Sequence, residues 1–177
     1  MNAVTIVRHI AGYAVGISIF FMLIPWGLLL LSIHADPVIG VGIFEVSIVR
    51  TVVSALILTP GVVFMLWSNA ALFLIGKGGP TDGLGIAISP RTRHLVIRGP
   101  YRYSRNPMVF GALSGYFAFA VYLDSAAALL TLAAFVPLIV AYLKATEEKR
   151  LERDFGEEYR AYRRRVSMIF PLPPRRD

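Results

Sequence analysis

The charged residues of this chain are concentrated in two short segments, and this constrains the fold more than any other feature. Of 29 charged residues among 177, seven lie within residues 76–107 and seventeen within residues 144–177. The rest of the chain is nearly free of charge, whereas soluble domains carry about 25% charged residues throughout. This distribution excludes an ordinary soluble domain and a disordered chain, and the absence of cysteine excludes a disulfide scaffold. The sequence therefore indicates a small polytopic membrane protein with two polar segments.

Four uncharged runs have about the length that a membrane-spanning helix needs. A helix rises ~1.5 Å per residue, so about 20 apolar residues cross a ~30 Å hydrocarbon core. We predict spans at residues 11–33, 51–75, 108–123 and 125–143. A loop at 76–107 separates the second and third spans, and a charged amphipathic helix and tail follow at 144–177. The expected fold class is all-α, a polytopic membrane helix bundle of about four transmembrane helices in a single domain over residues 1–177.

Two local features refine this arrangement. Residues 11–33 have the alternative interpretation of a cleaved signal peptide, but the apolar run is longer than the usual 7–15 residues and no small-residue cleavage site follows. We therefore favour a membrane span there. Asp124 and Ser125 leave almost no room for a loop, so the last two spans should form a tight helical hairpin.

The basic residues predict the orientation in the membrane. Six lysines and arginines lie in residues 76–107 and ten in residues 144–177, whereas the other connections hold Arg50 alone. Since cytoplasmic loops carry an excess of Lys and Arg, both termini and both polar segments should be cytoplasmic. We expect an integral, multi-pass protein of a bacterial inner membrane.

The same basic residues do not indicate nucleic-acid binding. The net charge is +7, but positive residues beside apolar spans are explained by orientation and by anionic lipid headgroups. The sequence has no zinc-ligand spacing and no RNA-binding aromatic motif, so no nucleic acid is expected as a partner. His9, His34 and His94 lie far apart and no cysteine is present, so no metal site is predicted.

The first polar segment ends at a predicted helix start. It opens with a glycine-rich stretch at residues 76–85 that favours a flexible linker over a phosphate-binding loop, because the Lys-Ser/Thr ending is missing. Asn106 suits an N-cap and Pro107 the first helical position. The helix N-terminus beside Arg105 can hold a carboxylate or a phosphate. A capped helix whose arginine contacts lipid headgroups is an equally good interpretation of these residues.

The second polar segment should continue the fourth span as an amphipathic helix. Its apolar stripe recurs at helical spacing and is interrupted by Gly156, which costs ~1 kcal/mol in a helix interior. The stripe consists of Leu151, Phe155, Tyr159, Tyr162 and Val166. We expect it to lie on the membrane surface or to cover the basic loop, mainly as core packing. Glu147 and Glu148 stand where the fourth span ends, either as solvated surface pairs or as part of a site with Arg105.

Two stretches together resemble a known enzyme family. LVIRGPYRYSRNPMVFG at residues 95–111 and EEKRLERDFGEEYRAYRRRV at residues 147–166 are similar to the isoprenylcysteine carboxyl methyltransferase family. Phospholipid methyltransferases share the same C-terminal pattern, and the resemblance covers residues 93–171. It implies an integral membrane enzyme that uses S-adenosylmethionine in a cytoplasmic pocket closed by the C-terminal helix. The acceptor would be a lipid-like small molecule from the bilayer.

The resemblance also implies which residues form the site. The implied cofactor contacts are Arg93, His94, Leu95, Val96, Tyr101, Asn106, Pro107, Met108, Val109 and Glu147. The implied catalytic residues are Arg105, Asn106 and Glu148. Methyl transfer disperses charge at a sulfonium, so positioning and desolvation should supply most of the rate and no metal is implied.

Three departures from the family pattern bear on the acceptor. Asn106 replaces a histidine, Val109 replaces a tyrosine, and Leu143 stands where the family has the arginine that holds the prenylcysteine carboxylate. A prenylcysteine acceptor is therefore disfavoured, and a phospholipid amine is favoured slightly. An amine must lose a proton, for which Glu148 or Glu147 is the candidate base.

Two other functions fit the sequence less well. Membrane sterol-type reductases have a similar C-terminal architecture and use NADPH, whose phosphate the basic loop could hold, but this chain lacks their longer N-terminal region. A non-enzymatic membrane module that binds lipid or a partner protein is the other alternative. The sequence predicts neither the oligomeric state nor the identity of the methyl acceptor.

Overall fold

The computed structural model describes residues 18–40, 42–44, 46–76 and 94–175, together with the backbone of two short strands. The helices of this part of the chain are α1 (Ile24–His34), α2 (Asp36–Ile39), α3 (Ser47–Leu74), α4 (Pro107–Tyr122), α5 (Ala126–Leu143) and α6 (Lys149–Arg165). A π-helical turn, Ile19–Leu23, precedes α1, and a second, Lys144–Glu148, joins α5 to α6. A 3-10 turn, Gly99–Arg102, leads towards α4.

The predicted all-α helix bundle is confirmed. The one β element among the described residues is a small antiparallel ladder, β1 (Asp82–Gly83) with β2 (Ile86–Ala87), inside the predicted loop. Helices α4 and α5 begin and end within three residues of the predicted third and fourth spans, and α3 begins at Ser47, before the predicted start at residue 51. Residues 11–17 of the first predicted span, and most of the glycine-rich stretch, lie outside the described residues. The single-domain organisation stays a prediction.

Three helical stretches of the described chain are long and apolar enough to cross a membrane. They are Ile19–Ile39, Ser47–Leu74 and Ala126–Arg165, of which the last has its apolar part in α5. The predicted third span is the shorter apolar helix α4, whose 16 residues extend ~24 Å. Apolar side chains on these helices point outward; Phe21 and Leu56 are each 68% exposed. Such surfaces are those that lipid covers in a membrane protein.

The turn between α4 and α5 is the tight hairpin that the sequence predicts. Asp124 has a positive φ of 57°, a conformation that Asp tolerates better than most residues. The Ser125 hydroxyl caps α5 by accepting a hydrogen bond from the Ala128 backbone at 3.0 Å. The Asp124 carboxylate accepts from the backbone N–H groups of Ile43 and Phe44, each at 3.1 Å. The hairpin thus also fixes the chain that leads into α3.

Helices α3 and α4 cross at very short distance because both present glycine at the crossing. A methyl group on Gly111 would lie 2.7 Å from the Gly61 carbonyl oxygen and 2.8 Å from Met65 Cβ. About two helical turns from this crossing, the Ser54 hydroxyl donates to the Ala118 carbonyl at 2.7 Å. This side-chain hydrogen bond also joins the two helices. Small residues that let backbones approach are the usual means by which helices pack in membranes. This crossing positions the start of α4, where the candidate site lies.

We predict that Gly111→Ala destabilises the protein whereas Gly115→Ala does not. The added methyl at position 111 must push two helix backbones apart, which costs about 1–3 kcal/mol. At Gly115 nothing lies within 4 Å of an added methyl, and alanine favours the helix. Thermal unfolding of the two variants in detergent compares them directly. Equal stability of both variants would contradict the close crossing.

Candidate functional site

The C-terminal tail, residues 166–175, folds back onto the segment that leads into α4, residues 101–107. The backbone N–H of Arg105 donates to the Ser167 carbonyl at 2.8 Å, and that of Asn106 donates to the Met168 carbonyl at 3.0 Å. Further along, the Leu172 N–H donates to the Tyr103 carbonyl at 3.0 Å. These bonds satisfy backbone groups that a loop would otherwise leave to water. The tail is therefore an integral part of the site.

Ser104 strengthens this attachment from a fully buried position. Its hydroxyl donates to the Ile169 carbonyl at 2.7 Å and accepts from the Asn106 N–H at 3.1 Å. Ile169 in turn packs against Leu113 of α4 and Leu143 of α5 in an apolar cluster. The tail is thus held by polar contacts on one side and by apolar burial on the other.

The expected N-cap of α4 is only partly correct. The helix begins at Pro107, as predicted, and Asn106 occupies the N-cap position. Its side chain makes no capping bond, however, because Nδ2 donates to the Met168 carbonyl at 3.0 Å instead. The prediction that the Asn106 side chain caps α4 is therefore wrong. Asn106 thus gives no side-chain acceptor to the first N–H groups of α4, which are the ones that bind anions at helix starts.

A buried ion pair joins the start of α4 to the end of α5. Arg105 Nη1 donates to Glu148 Oε1, and the two side chains are 10% and 9% exposed. Arg105 Nη1 also lies 3.4 Å from the Tyr159 hydroxyl oxygen of α6. Glu148 ends the π-helical turn, an irregularity that is frequent at functional sites. The structure thus places two of the predicted catalytic residues, Arg105 and Glu148, in contact.

The negative charge of Glu147 acts on Tyr101, which the resemblance also implies as a cofactor contact. Burial and, second, the negative charge of Glu147 raise the pKa of Tyr101 well above its usual value. The Tyr101 hydroxyl therefore stays protonated and can donate a hydrogen bond. The Tyr101 carbonyl accepts from the Tyr162 hydroxyl at 2.6 Å, which fixes this residue to α6.

Several other predicted cofactor contacts are used in packing. Leu95 packs against the cluster of Tyr159, Tyr162 and Val166, which also holds Leu151 and Phe155. The predicted stripe of α6 therefore covers the basic loop and forms core. Val109 packs into the cluster around Leu113 and Leu143.

The remaining predicted contacts differ in their exposure. Val96 and Pro107 are buried, Met108 is half-buried and His94 is exposed. Arg93 lies outside the described residues. The cofactor role of the whole set stays a prediction.

The predicted helix 144–166 is interrupted at Gly156, where the sequence suggested only a loss of helix stability. Gly156 has a φ of 53° and a non-helical ψ, so α6 consists of two helical halves that meet at a kink. The Glu152 carboxylate bridges the two halves by accepting from Arg160 at 3.2 Å and from Arg163 at 3.0 Å. Only glycine adopts such a conformation readily.

A cavity of about 330 Å³ lies between the end of α6 and the tail. The residues that line it are Arg105, Arg163, Arg164, Arg165, Val166, Ser167, Met168, Leu172, Pro173 and Arg175. Among the described cofactor contacts that the resemblance implies, none lines this cavity, and of the implied catalytic residues Arg105 does. The cavity is thus next to the predicted site without coinciding with it.

Sequence reasoning missed two polar contributors to the site. Ser104 carries no motif of its own, and its role depends on a carbonyl 65 residues later in the chain. Tyr159 was recognised as part of an apolar stripe, but its hydroxyl also faces Arg105. A tyrosine rather than a phenylalanine on a buried stripe was the available signal, because buried hydroxyls usually have a partner.

We predict that Glu148→Gln destabilises the fold. The substitution leaves the Arg105 charge buried without a counter-charge, and breaking a buried ion pair in this way costs about 3–5 kcal/mol. Thermal unfolding in detergent measures the loss. Glu158→Gln on the exposed face of α6 is the matched control and should unfold like wild type. A Glu148→Gln protein as stable as this control would show that the ion pair contributes nothing.

We predict that Ser104→Ala loosens the tail. The buried Ile169 carbonyl loses its side-chain donor and the Asn106 N–H keeps only one of its two acceptors, the Met168 carbonyl, at a cost of about 1–3 kcal/mol. Limited trypsin digestion should therefore cleave after Arg163, Arg164 or Arg165 faster than in wild type. Thr59→Ala removes a hydroxyl that donates to the Ala55 carbonyl within α3 and should not alter this cleavage. Unchanged digestion of the Ser104 variant would contradict the proposed attachment.

Comparison with known proteins identifies the family. A family model described as phospholipid methyltransferase matches residues 49–158, more than half of the chain. No curated protein and no solved structure matches the chain significantly. The matched region runs from α3 to within α6 and contains Arg105, Glu147 and Glu148. With three helices of bilayer length and this match, the chain is an integral membrane protein that belongs to the phospholipid methyltransferase family.

Proposed function

We propose that the chain transfers a methyl group from S-adenosylmethionine to a lipid-like acceptor in the membrane. The observation that carries the proposal is the cluster formed by Arg105, Glu148, Glu147 and Tyr101 inside the family-matched region. Its members come from two stretches more than 40 residues apart, before α4 and after α5. The cluster lies at one end of both helices, where a ligand from water and an acceptor from lipid can meet.

The residues of this cluster fit the chemical groups of S-adenosylmethionine. Its carboxylate suits the uncapped start of α4 and the nearby Arg105, since helix N-termini attract anions. Its ammonium and ribose hydroxyls suit the Glu147 carboxylate, and the protonated Tyr101 hydroxyl supplies a donor beside it. When bound, the cofactor supplies an electrophilic methyl group on a sulfonium. The protein has to hold that group dry and in line with the acceptor.

The two adjacent glutamates are suited to different tasks. The Glu148 carboxylate is buried and bound by Arg105, so its geometry favours holding Arg105 in place over the proton-accepting role that the sequence suggested. Glu147 is more exposed and faces Tyr101. If the acceptor is an amine, its proton must leave during methylation, and Glu147 is the carboxylate better placed to receive it.

The environment of Leu143 supports an amine acceptor over a carboxylate. Leu143 is 4% exposed and packs against Leu113 and Ile169. An arginine that held a prenylcysteine carboxylate would have to stand at this position, which here is filled by apolar contacts. We therefore propose an amine such as a phospholipid headgroup amine as acceptor. In this proposal the site and both termini face the cytoplasm of a bacterial cell, as the distribution of Lys and Arg favours.

We predict that the purified protein in detergent binds S-adenosylhomocysteine. The substitution Glu147→Gln should weaken this binding about ten-fold or more. Calorimetry measures both affinities. The loss follows from removing a charged hydrogen-bond acceptor, worth about 1.5–3 kcal/mol. Glu158→Gln should bind like wild type.

NADPH is offered to the same preparation as the competing cofactor. Binding of NADPH without S-adenosylhomocysteine would replace the methyltransferase proposal by a reductase. Binding of neither would favour a lipid- or partner-binding module, and equal effects of the two glutamate variants would refute the placement of the site.

A further inference from the structure

The cavity between α6 and the tail has a chemical character that methyl transfer does not require. Arginines from three separate parts of the chain line it: Arg105 before α4, Arg163, Arg164 and Arg165 at the end of α6, and Arg175 in the tail. The described lining contains no aspartate or glutamate. Five arginines therefore contribute to the lining of one small space, and three of them, Arg164, Arg165 and Arg175, are also exposed to solvent.

Two described carboxylates outside the cavity bind arginines of its lining. Glu148 binds Arg105, and Glu152 accepts from Arg163 at 3.0 Å while it is shared with Arg160. The lining thus keeps an excess of positive charge over these two neighbouring carboxylates. A site of this kind attracts a compact anion that carries more than one charge or several acceptor oxygens.

Arg105 has an unsatisfied hydrogen-bond donor. Its side chain is 10% exposed, and its Nε is buried without a hydrogen-bond partner among the described residues, although Nη1 binds Glu148. A buried donor that is left unpaired is costly and calls for an explanation. Since Arg105 lines the cavity, an oxyanion held there would lie close to this guanidinium and offset its charge.

We propose that this cavity is a phosphate-binding site, separate from the site of methyl transfer. Guanidinium forks match the oxygens of phosphate, and arginines from several directions match its tetrahedral shape. The volume of about 330 Å³ is at the lower end of the ~300–1,000 Å³ range of ligand pockets, enough for a phosphate with a small substituent. The ligand is free phosphate, a soluble phosphate ester or the headgroup of an anionic lipid, which present the same group to the arginines.

Bound phosphate would tie the tail to α6. The Arg175 N–H already donates to the Arg165 carbonyl at 2.9 Å, and both residues line the cavity. The same tail is bonded to residues 103–106. The site thus stabilises the segment that covers the start of α4, and this goes beyond the proposed methyl transfer without depending on it.

Thermal unfolding in a neutral detergent tests the proposal, with inorganic phosphate replacing chloride at constant ionic strength. We expect a saturable rise of the midpoint, on the order of 5 °C. The double variant Arg164→Gln/Arg175→Gln should lose this response. Arg153→Gln is the matched control, because Arg153 lies on the same helix, is 71% exposed and does not line the cavity; it should respond like wild type.

Lipid nanodiscs distinguish a lipid headgroup from a soluble phosphate as the ligand. Stabilisation by phosphatidylglycerol over phosphatidylcholine that is lost in the double variant would support the site with a headgroup as ligand, even if free phosphate has no effect. Absence of any arginine-dependent stabilisation, by free phosphate or by phosphatidylglycerol, would overturn the proposal. An equal response of wild type and double variant would overturn it as well.

Binding of S-adenosylhomocysteine separates this site from the cofactor site. We expect the double variant to bind S-adenosylhomocysteine like wild type while it no longer responds to phosphate. Loss of S-adenosylhomocysteine binding in the double variant would assign the cavity to the cofactor and so overturn a separate phosphate site. Failure of wild type to bind S-adenosylhomocysteine, with an intact phosphate response, would overturn the methyltransferase proposal and leave this one standing.

Discussion

The buried ion pair between Arg105 and Glu148 fixes the relative position of the chain's two charged segments. Arg105 stands immediately before α4 and Glu148 ends the π-helical turn after α5, and each side chain is about nine-tenths buried. Two charges removed from water are tolerated only when they face each other and find further hydrogen bonds, which here include the Tyr159 hydroxyl. The ion pair thereby holds the start of α4 beside the end of α5. Glu147, the neighbour of Glu148 in the chain, acts electrostatically on Tyr101.

The C-terminal tail contacts the start of α4 through some of its residues and lines the arginine-rich cavity with others. Ser104 and the backbone of Asn106 bind it on the α4 side, while Ile169 packs between α4 and α5. The opposite face of the same ten residues closes the arginine-lined cavity against the end of α6. One short segment therefore forms part of the wall of both proposed sites. A ligand that orders the tail at one of them acts on a segment that the other shares, which provides a physical route for coupling between lipid or phosphate and methyl transfer.

Local sequence signals predicted the fold well where local physics decides it. Uncharged runs gave the apolar helices, Pro107 marked the start of α4, and Asp124 marked the hairpin, because each depends on its immediate neighbours. Asn106 occupies the N-cap position as predicted, but its side chain makes no capping bond because it donates to the Met168 carbonyl, 62 residues later. The arginine-lined cavity was not predictable for the same reason, since it exists only where the tail returns. The sequence indicates that Gly156 destabilises the helix, but it does not predict that the helix is kinked there.

Methyl transfer to a membrane lipid, as proposed above, is tested most directly by following the transfer of a labelled methyl group. Wild-type protein reconstituted with a membrane lipid extract is incubated with S-adenosylmethionine labelled in its methyl group, and the extracted lipids are separated and counted. We predict that label enters an amine-containing lipid with wild type and falls strongly with Glu147→Gln, while Glu158→Gln retains it. Label that stays entirely in the cofactor, or that enters lipid equally with the Glu147 variant, would contradict the proposed function and its site.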